Sequence, residues 1–412
     1  MRADVLVLGA GIVGVSVAVH LAQRGRQVVL IDRQAPGRAT SYGNAGLIQR
    51  EGVLPRAFPQ DWRAILNYAR NASTDMHFHP SALPTLAPFL ARYWWHSLPE
   101  RYRKTVISYA TLIEHSVSEH APLIAAADAG HLVGKNGWLS LFMSPEGRDK
   151  AFAEAEWIES EFGIAHARLS GAELRNREPG VTADFAGALH WRDPWTVRDP
   201  GGLVAAYAAY FEKLGGRFIT GDALRLEATA DGWRLGDVSA REAVIALGPW
   251  AGDLTRRLGY RLPLGIKRGY HMHFAPDAQQ PLRHWMLDTE GGYLMAPMAM
   301  GLRLATGAEF ARRDAPATPV QVERAERTAR TRFAFGARLD EKPWLGARPM
   351  TPDMLPVIGP APRHEKLWFA FGHAHHGLTL GPATGRLIAE MVTGQAPYID
   401  PAPFSARRFG RS

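Results

Sequence analysis

Residues 3–33 read ADVLVLGAGIVGVSVAVHLAQRGRQVVLIDR, and the order of events in that stretch sets the fold. Val5 to Leu8 is an apolar run of strand length, followed at once by Gly9-Ala10-Gly11-Ile12-Val13-Gly14. Val15 to Gln23 has helical spacing, Gly25 ends it, and Gln27 to Asp32 reads as a second strand. The three glycines serve a β-α-β unit in separate ways. Gly9 permits a tight turn, Gly11 lets the backbone approach a pyrophosphate, and Gly14 lets helix and strand pack closely. The pyrophosphate would rest at the positive helix end, on Ile12 and Val13. Asp32, with Arg33 beside it, is placed to hydrogen-bond an adenosine ribose and repels a 2′-phosphate. The reading is an ADP-containing cofactor, because a ligand-free glycine turn leaves Asp32 unexplained.

Working outward, 412 residues are many for one hydrophobic core, so two closely joined domains are expected. A hydrophobic content of 46% with 21% charged residues is ordinary for a globular chain. The net charge of +8 comes from scattered lysines and arginines, which gives no nucleic-acid patch. No segment approaches the length of a transmembrane helix, and with the first strand so near Met1 no signal peptide is expected. The expected location is the cytoplasm, with peripheral contact at the inner face of the membrane as a second reading. There is no cysteine, which excludes disulfides, cysteinyl-flavin bonds, thiolate metal sites and iron–sulfur ligation within this chain.

Beyond the first unit, Ala39-Thr40-Ser41-Tyr42-Gly43-Asn44-Ala45-Gly46-Leu47 is small and polar enough for backbone amides to touch a cofactor. Trp62 to Asp128 reads as mainly helical, with two interruptions rich in proline and histidine. Leu90-Ala91-Arg92-Tyr93-Trp94-Trp95 and Arg101-Tyr102-Arg103-Lys104 mix aromatic and basic residues, as core packing with a charged face does, or an interfacial membrane patch. A strand at Gly137–Phe142 precedes an amphipathic helix at Pro145–Phe162. Asp199 and Pro200 open a helix running to Leu214, Arg217–Ile219 returns as a strand, and Ala223–Leu235 suggests a hairpin. Ala243 to Leu247 is a buried strand leading into Gly248-Pro249-Trp250. Antiparallel strands follow at Gly269–Phe274, Gly292–Met298 and Leu302–Thr306, then a charged helix at Pro319–Phe333. A strand at Leu367–Gly372 and a helix from about Leu380 to Val392 close the chain. The expected class is α/β, α+β overall. A Rossmann-like cofactor domain is assigned to residues 1–50, 190–257 and 345–412, and an interleaved substrate domain to residues 51–189 and 258–344.

Gly372-His373-Ala374-His375-His376-Gly377-Leu378-Thr379 leads from strand to helix near the C-terminus. Free amides and a positive dipole at that helix start suit the negative charge that appears on a reduced flavin. The three histidines admit a metal reading, but they come without acidic or thiolate helpers, so no metal is assigned. Together with the N-terminal fingerprint, this tail resembles the D-amino acid oxidase and dehydrogenase family of FAD enzymes, which includes glycine and sarcosine oxidases. The resemblance runs through Gly9–Asp32, Ser41–Gly46, Ala246–Ala251, Gly346–Gly359 and Gly372–Gly385, and is weakest over Gln49–Asp128. It is most similar to bacterial D-amino acid dehydrogenases, and the histidine-rich tail looks like the D-hydroxyproline branch. The resemblance implies non-covalent FAD held by Gly9, Gly11, Ile12, Val13, Gly14, Asp32, Arg33, Ser41, Asn44, Ala45, Gly46, Leu47, Ala223, Ala246, Gly248 and Trp250. From the C-terminal half it adds Arg348, Gly372, His373, His376, Gly377, Leu378 and Thr379.

Arg348, in Gly346-Ala347-Arg348-Pro349, carries the sharpest chemical hint. Its planar fork suits a carboxylate, and the family's arginine at this place holds the substrate carboxylate. The bland alternative is a structural ion pair with Asp353. The resemblance also offers Arg268 and Tyr293 as carboxylate ligands, with Tyr270 and His271 as lesser candidates, since alternation aims only one of that pair inward. The implied reaction is FAD-dependent oxidation of a D-amino acid or cyclic imino acid such as D-hydroxyproline, by hydride transfer from Cα to flavin N5. The implied electron acceptor is a quinone or redox partner. An oxygen-using glycine or sarcosine oxidase, and a flavin subunit of a larger complex, stay open.

Overall fold

The computed structural model describes residues 1–410. Its cofactor half is built on the strand Arg2–Leu8, which lies between Val28–Asp32 and Val238–Ile245, all parallel, with Arg217–Thr220 beyond Val28–Asp32. The strand Val238–Ile245 splits its pairing: its first half joins the antiparallel hairpin arm Gly232–Leu235, and its second half pairs in parallel with Leu367–Phe371. Val5, Leu6, Val7 and Leu8 are all fully buried, as a parallel strand covered on both faces requires. The helices Ile12–Gln23, Pro200–Lys213 and Gly377–Val392 share one core, in which Val15 and Val19 meet Leu203, Tyr207, Leu380 and Leu387. A Cβ at Gly385 would come 2.7 Å from the Ser16 carbonyl oxygen, so the first and last helices touch backbone to backbone. Asp199 caps the helix at Pro200, accepting from the Gly202 amide at 2.9 Å.

The second sheet has eleven strands among the described residues and is mostly antiparallel. The strand Gly265–Pro276 is its hub, pairing with Gly301–Thr306, Trp344–Met350, Phe335–Arg338 and Ala308–Phe310. One interruption of the helical region, Met76–Phe78, joins this sheet as an edge strand parallel to Ala308–Phe310. One face of the sheet is covered by the helix Val320–Ala329, with Met272, Phe274, Tyr293 and Leu304 packed against Val322, Ala325 and Phe333. The other face turns towards the cofactor half. Trp344–Met350 belongs wholly to this sheet, so the domain boundary expected at residue 345 falls inside a strand. The helix Ser116–Ala126, expected on the substrate side, packs on the cofactor half instead, where His120 bonds the Leu378 carbonyl at 2.7 Å and the Tyr207 hydroxyl at 2.9 Å. No described helix is long and apolar enough to cross a membrane.

Candidate active site

The glycine loop is constrained from every side but one. Gly9 adopts φ +106°, and a Cβ on Gly14 would sit 1.8 Å from the Gly9 carbonyl oxygen. A Cβ on Gly11 would meet only the Ser41 hydroxyl, at 3.4 Å. That open side is where a pyrophosphate needs to approach. The Ile12 amide is bonded to Ser41 Oγ at 3.0 Å, which ties the helix start to the loop 41–47. Asp32 accepts from the Ala10 amide at 2.7 Å and the Gln34 amide at 3.1 Å, so its carboxylate is fixed at the end of the second strand. Arg33 and Arg313 flank the Trp250 ring at 5.8 and 5.7 Å. Gly248, at φ +53°, has nothing within 4 Å of an added Cβ. Gly14→Ala is expected to push backbone against backbone, costing about 3 kcal/mol or more and leaving protein that purifies without flavin. Thermal unfolding and the visible spectrum check both parts.

The loop 41–47 is held from the second sheet. Arg303, fully buried, donates to the Asn44 carbonyl at 2.6 Å and the Tyr42 carbonyl at 3.3 Å, while Trp285 donates to the Ala45 carbonyl at 2.8 Å. Asn44 turns its side chain back to the Gly46 amide at 2.8 Å. Thr379 binds the same loop from the C-terminal helix, donating to the Leu47 carbonyl at 3.1 Å and accepting from the Gln49 amide at 3.2 Å. That helix starts at Gly377 with no side-chain cap, and a Cβ on Gly377 would meet nothing within 4 Å. Buried polar atoms without a partner gather around this loop and turn: Glu51 Oε2, His271 Nδ1, Arg303 Nη2 and His376 Nε2. Burial raises the Glu51 carboxyl to about 7. Open glycines, uncapped amides and orphaned polar atoms together are what a large polar cofactor would satisfy.

The three histidines of the tail have separate duties. His373 is bonded to Thr384 Oγ1 at 2.9 Å and braces the turn on its own helix. His376 is bonded through Nδ1 to the Tyr109 hydroxyl at 2.5 Å. Burial, with His376 and the positive charges of Arg56, Arg348 and Lys267, drives the proton affinity of His375 far down.

Strand alternation sorts the proposed carboxylate ligands. Lys267 pairs with Arg348, Gly269 with Gly346, and His271 with Trp344, and these residues share the face turned to the cofactor half. The Arg348 guanidinium lies over Gly269, where a Cβ would come 2.4 Å from Nη2. His271 stacks on Trp344 with ring centroids 4.9 Å apart and planes 14° from parallel. Trp344 in turn fills the space over Gly43 and Gly346. Among the described residues Arg348 makes one bond, to the Gly307 carbonyl at 2.9 Å, which leaves most of its fork without a protein partner there. The expected rival partner, Asp353, is committed to Arg408 at 2.6 Å. Burial, with Arg56 nearby, lowers the Arg348 guanidinium to about 10, so it stays charged at neutral pH.

Arg268 and Tyr293 do not reach this face. Arg268 has the opposite parity to Lys267, and its guanidinium is consumed by Glu309 and by the carbonyls of Ala315 and Pro316. Tyr270 lies on the same far face, bonded to Glu309 at 3.0 Å. Tyr293 is buried there beside Asp288, with its ring edge-on to Phe333. Neither is in a position to join Arg348. Sequence reading missed Lys267, Arg56, Tyr93 and Arg303. Lys267 leaves a local trace as the basic neighbour of Arg268, and Tyr93 leaves one in the aromatic and basic stretch Leu90–Trp95.

The DAO family of FAD dependent oxidoreductases matches residues 4–391 of this chain. The chain belongs to that family. A D-amino-acid oxidase of Bradyrhizobium diazoefficiens is 31% identical, covering 98% of both chains. D-amino acid dehydrogenase 2 of Mesorhizobium japonicum is 32% identical over 96% of this chain and 98% of its own. The fold is that of glycine oxidase from Geobacillus kaustophilus, with a TM-score of 0.71, 22% identity and 99% of each chain covered. As in the family, the cofactor is FAD held without a covalent bond, and the protein is an FAD-dependent oxidoreductase. The features that fit FAD here are the open side of the Gly9–Gly14 loop, fixed Asp32, and the uncapped start of the Gly377–Val392 helix.

Proposed function

We propose that the site oxidises a D-amino acid to the corresponding 2-oxo acid. The observation that carries this reading is the largely free guanidinium fork of Arg348, on the face turned to the cofactor cradle and without a carboxylate of its own. The substrate's D configuration is taken from the relatives, named D-amino-acid oxidase and D-amino acid dehydrogenase. FAD, when bound, would supply the two-electron oxidant for the Cα–H bond. The chain's own part is orientation. Arg348 fixes the α-carboxylate in a bidentate grip, Gly269 lets the guanidinium lie close to the sheet, and Trp344 with His271 walls the pocket. Loss of hydride turns the amine into an imine, and water then releases ammonia and the 2-oxo acid. A cyclic D-imino acid such as D-hydroxyproline fits the same scheme, with a cyclic imine as product. Incubating the FAD-loaded protein with D- and L-enantiomers and an artificial electron acceptor tests this reading. Equal amounts of 2-oxo acid and ammonia from D-substrates alone are expected; turnover confined to L-substrates contradicts it.

We further propose that electrons leave to a quinone at a membrane surface. The helix Trp62–Ala69 has no buried residue, and it exposes Trp62 and Leu66. Gln60, just before it, bonds the Trp94 carbonyl at 3.4 Å, which brings exposed Trp94 and Trp95 alongside. Arg63 and Arg101 cover the rings of Trp62 and Trp95 at 5.4 and 4.3 Å, so cations stand beside the indoles. Exposed indoles mixed with arginines suit an anionic lipid interface. Co-sedimentation with anionic vesicles is expected, and replacing Trp94 and Trp95 by serine should weaken it about tenfold, some 1.4 kcal/mol. Equal sedimentation of both proteins would remove this patch from the membrane role.

A further inference from the structure

Arg348 has cationic neighbours that a single carboxylate does not require. Lys267 stands directly across from it in the pairing of Gly265–Pro276 with Trp344–Met350, so both side chains leave the same face. Lys267 Nζ donates to the Tyr93 hydroxyl at 3.2 Å and lies 4.6 Å from the Tyr93 ring centre and 5.4 Å from that of Phe310. Arg56 comes in from another segment, its carbonyl accepting the Tyr93 hydroxyl, and its charge acts on both Lys267 and Arg348. His375 adds an imidazole held neutral by burial and these same cations. The charges acting on Lys267 are therefore Arg56 and Arg348, both of its own sign. Glu309, on the neighbouring strand, is spent on Arg268 at the opposite face. Lys267 and Arg348 are both partly buried and stand side by side, which is costly for like charges unless an anion joins them, whereas Arg56 itself is exposed.

The α-carboxylate of an amino acid answers Arg348 and leaves the partly buried Lys267 uncompensated, with the exposed Arg56 adding to the positive charge around it. We infer that the substrate carries a second carboxylate on its side chain, received by Lys267 and Arg56 while Arg348 holds the α-carboxylate. The substrate class is then the acidic D-amino acids of the aspartate and glutamate kind. This rests on the proposed oxidation of D-amino acids at the same site. It also explains why Lys267 is kept between two aromatic rings: an ammonium with few water contacts pairs more strongly with a carboxylate than a hydrated one does. Burial, Arg56 and Arg348 pull the Lys267 ammonium down to about 7. A carboxylate arriving beside it reverses that shift, so binding a dicarboxylate near pH 8 takes up a proton.

The test compares kcat/KM for D-glutamate with D-glutamine and for D-aspartate with D-asparagine, pairs that differ in charge but hardly in shape. The acid of each pair should be favoured about tenfold or more. In Lys267→Met the acid-to-amide ratio should fall towards one. Lys267→Arg keeps the charge and should keep the preference, which guards against a Lys267→Met chain that folds poorly. Independently, calorimetry of the FAD-loaded protein with glutarate in two buffers of different ionisation enthalpy should show proton uptake, with less for butyrate. An amide handled as well as its acid, or glutarate binding no tighter than butyrate, overturns the inference while flavin reduction by neutral D-amino acids leaves the proposed function standing. If no D-amino acid is turned over, both fall.

Discussion

Arg348→Ala is expected to lower kcat/KM for D-amino acids by roughly 30-fold to several thousand-fold, the equivalent of about 2–5 kcal/mol. The size follows from the surroundings of the side chain. Among the described residues its guanidinium makes one bond, to the Gly307 carbonyl, and it lies over Gly269 with no carboxylate partner there. Removing it takes away a charge-assisted, two-point contact and leaves the substrate carboxylate facing a partly buried wall. KM should rise steeply. The turnover number should fall as well, because a loosely held α-carboxylate no longer fixes the direction of the Cα–H bond. Arg348→Lys keeps the charge but not the fork, so it should recover only part of the loss. Steady-state kinetics with a D-amino acid series checks this, and an unchanged KM would take Arg348 out of the carboxylate role.

Glu309→Gln is the change expected to unfold the protein most readily. Arg268 and Glu309 are both almost wholly buried, and Tyr270 and Thr318 add hydrogen bonds to the same carboxylate. Glutamine keeps the shape and removes the charge, which leaves the Arg268 guanidinium unbalanced inside the sheet. Breaking one side of a buried pair costs about 3–5 kcal/mol. Denaturant melts of the two proteins should differ by that amount. The result also separates two roles for Arg268: a substrate ligand would alter KM when its partner changes, whereas a structural anchor alters stability. Loss of stability greater than any change in KM is the expected pattern.

That pair shows where the sequence is readable and where it is not. The dinucleotide unit is legible because each of its parts is local: the strand Arg2–Leu8, the glycine loop, the helix Ile12–Gln23 and Asp32 follow one another within one short stretch. Helices with strong end signals are legible for the same reason, and Pro145–Phe162 begins at its serine cap and ends at left-handed Gly163. Arg348 stands out because its motif is compact. The other carboxylate ligands do not. Lys267 and Arg268 are adjacent cations on one strand, and alternation says only that they face opposite ways. Which one meets the substrate depends on which face of the sheet the cofactor half covers. That is settled by distant contacts such as Arg303 with the carbonyls of Tyr42 and Asn44. Tyr293 went astray likewise, its parity matching Tyr270 and Arg268 rather than Arg348. Arg56 and Tyr93 lie in the stretch with the weakest family pattern, and only folding brings them to Lys267.

The most direct measurement is an anaerobic visible spectrum of the FAD-loaded protein as D- and L-amino acids are added in turn. The account predicts that the flavin band bleaches with D-substrates and persists with their L-enantiomers, and that Arg348→Ala needs far more D-substrate for the same bleaching. A bound flavin that no D-amino acid reduces would contradict it.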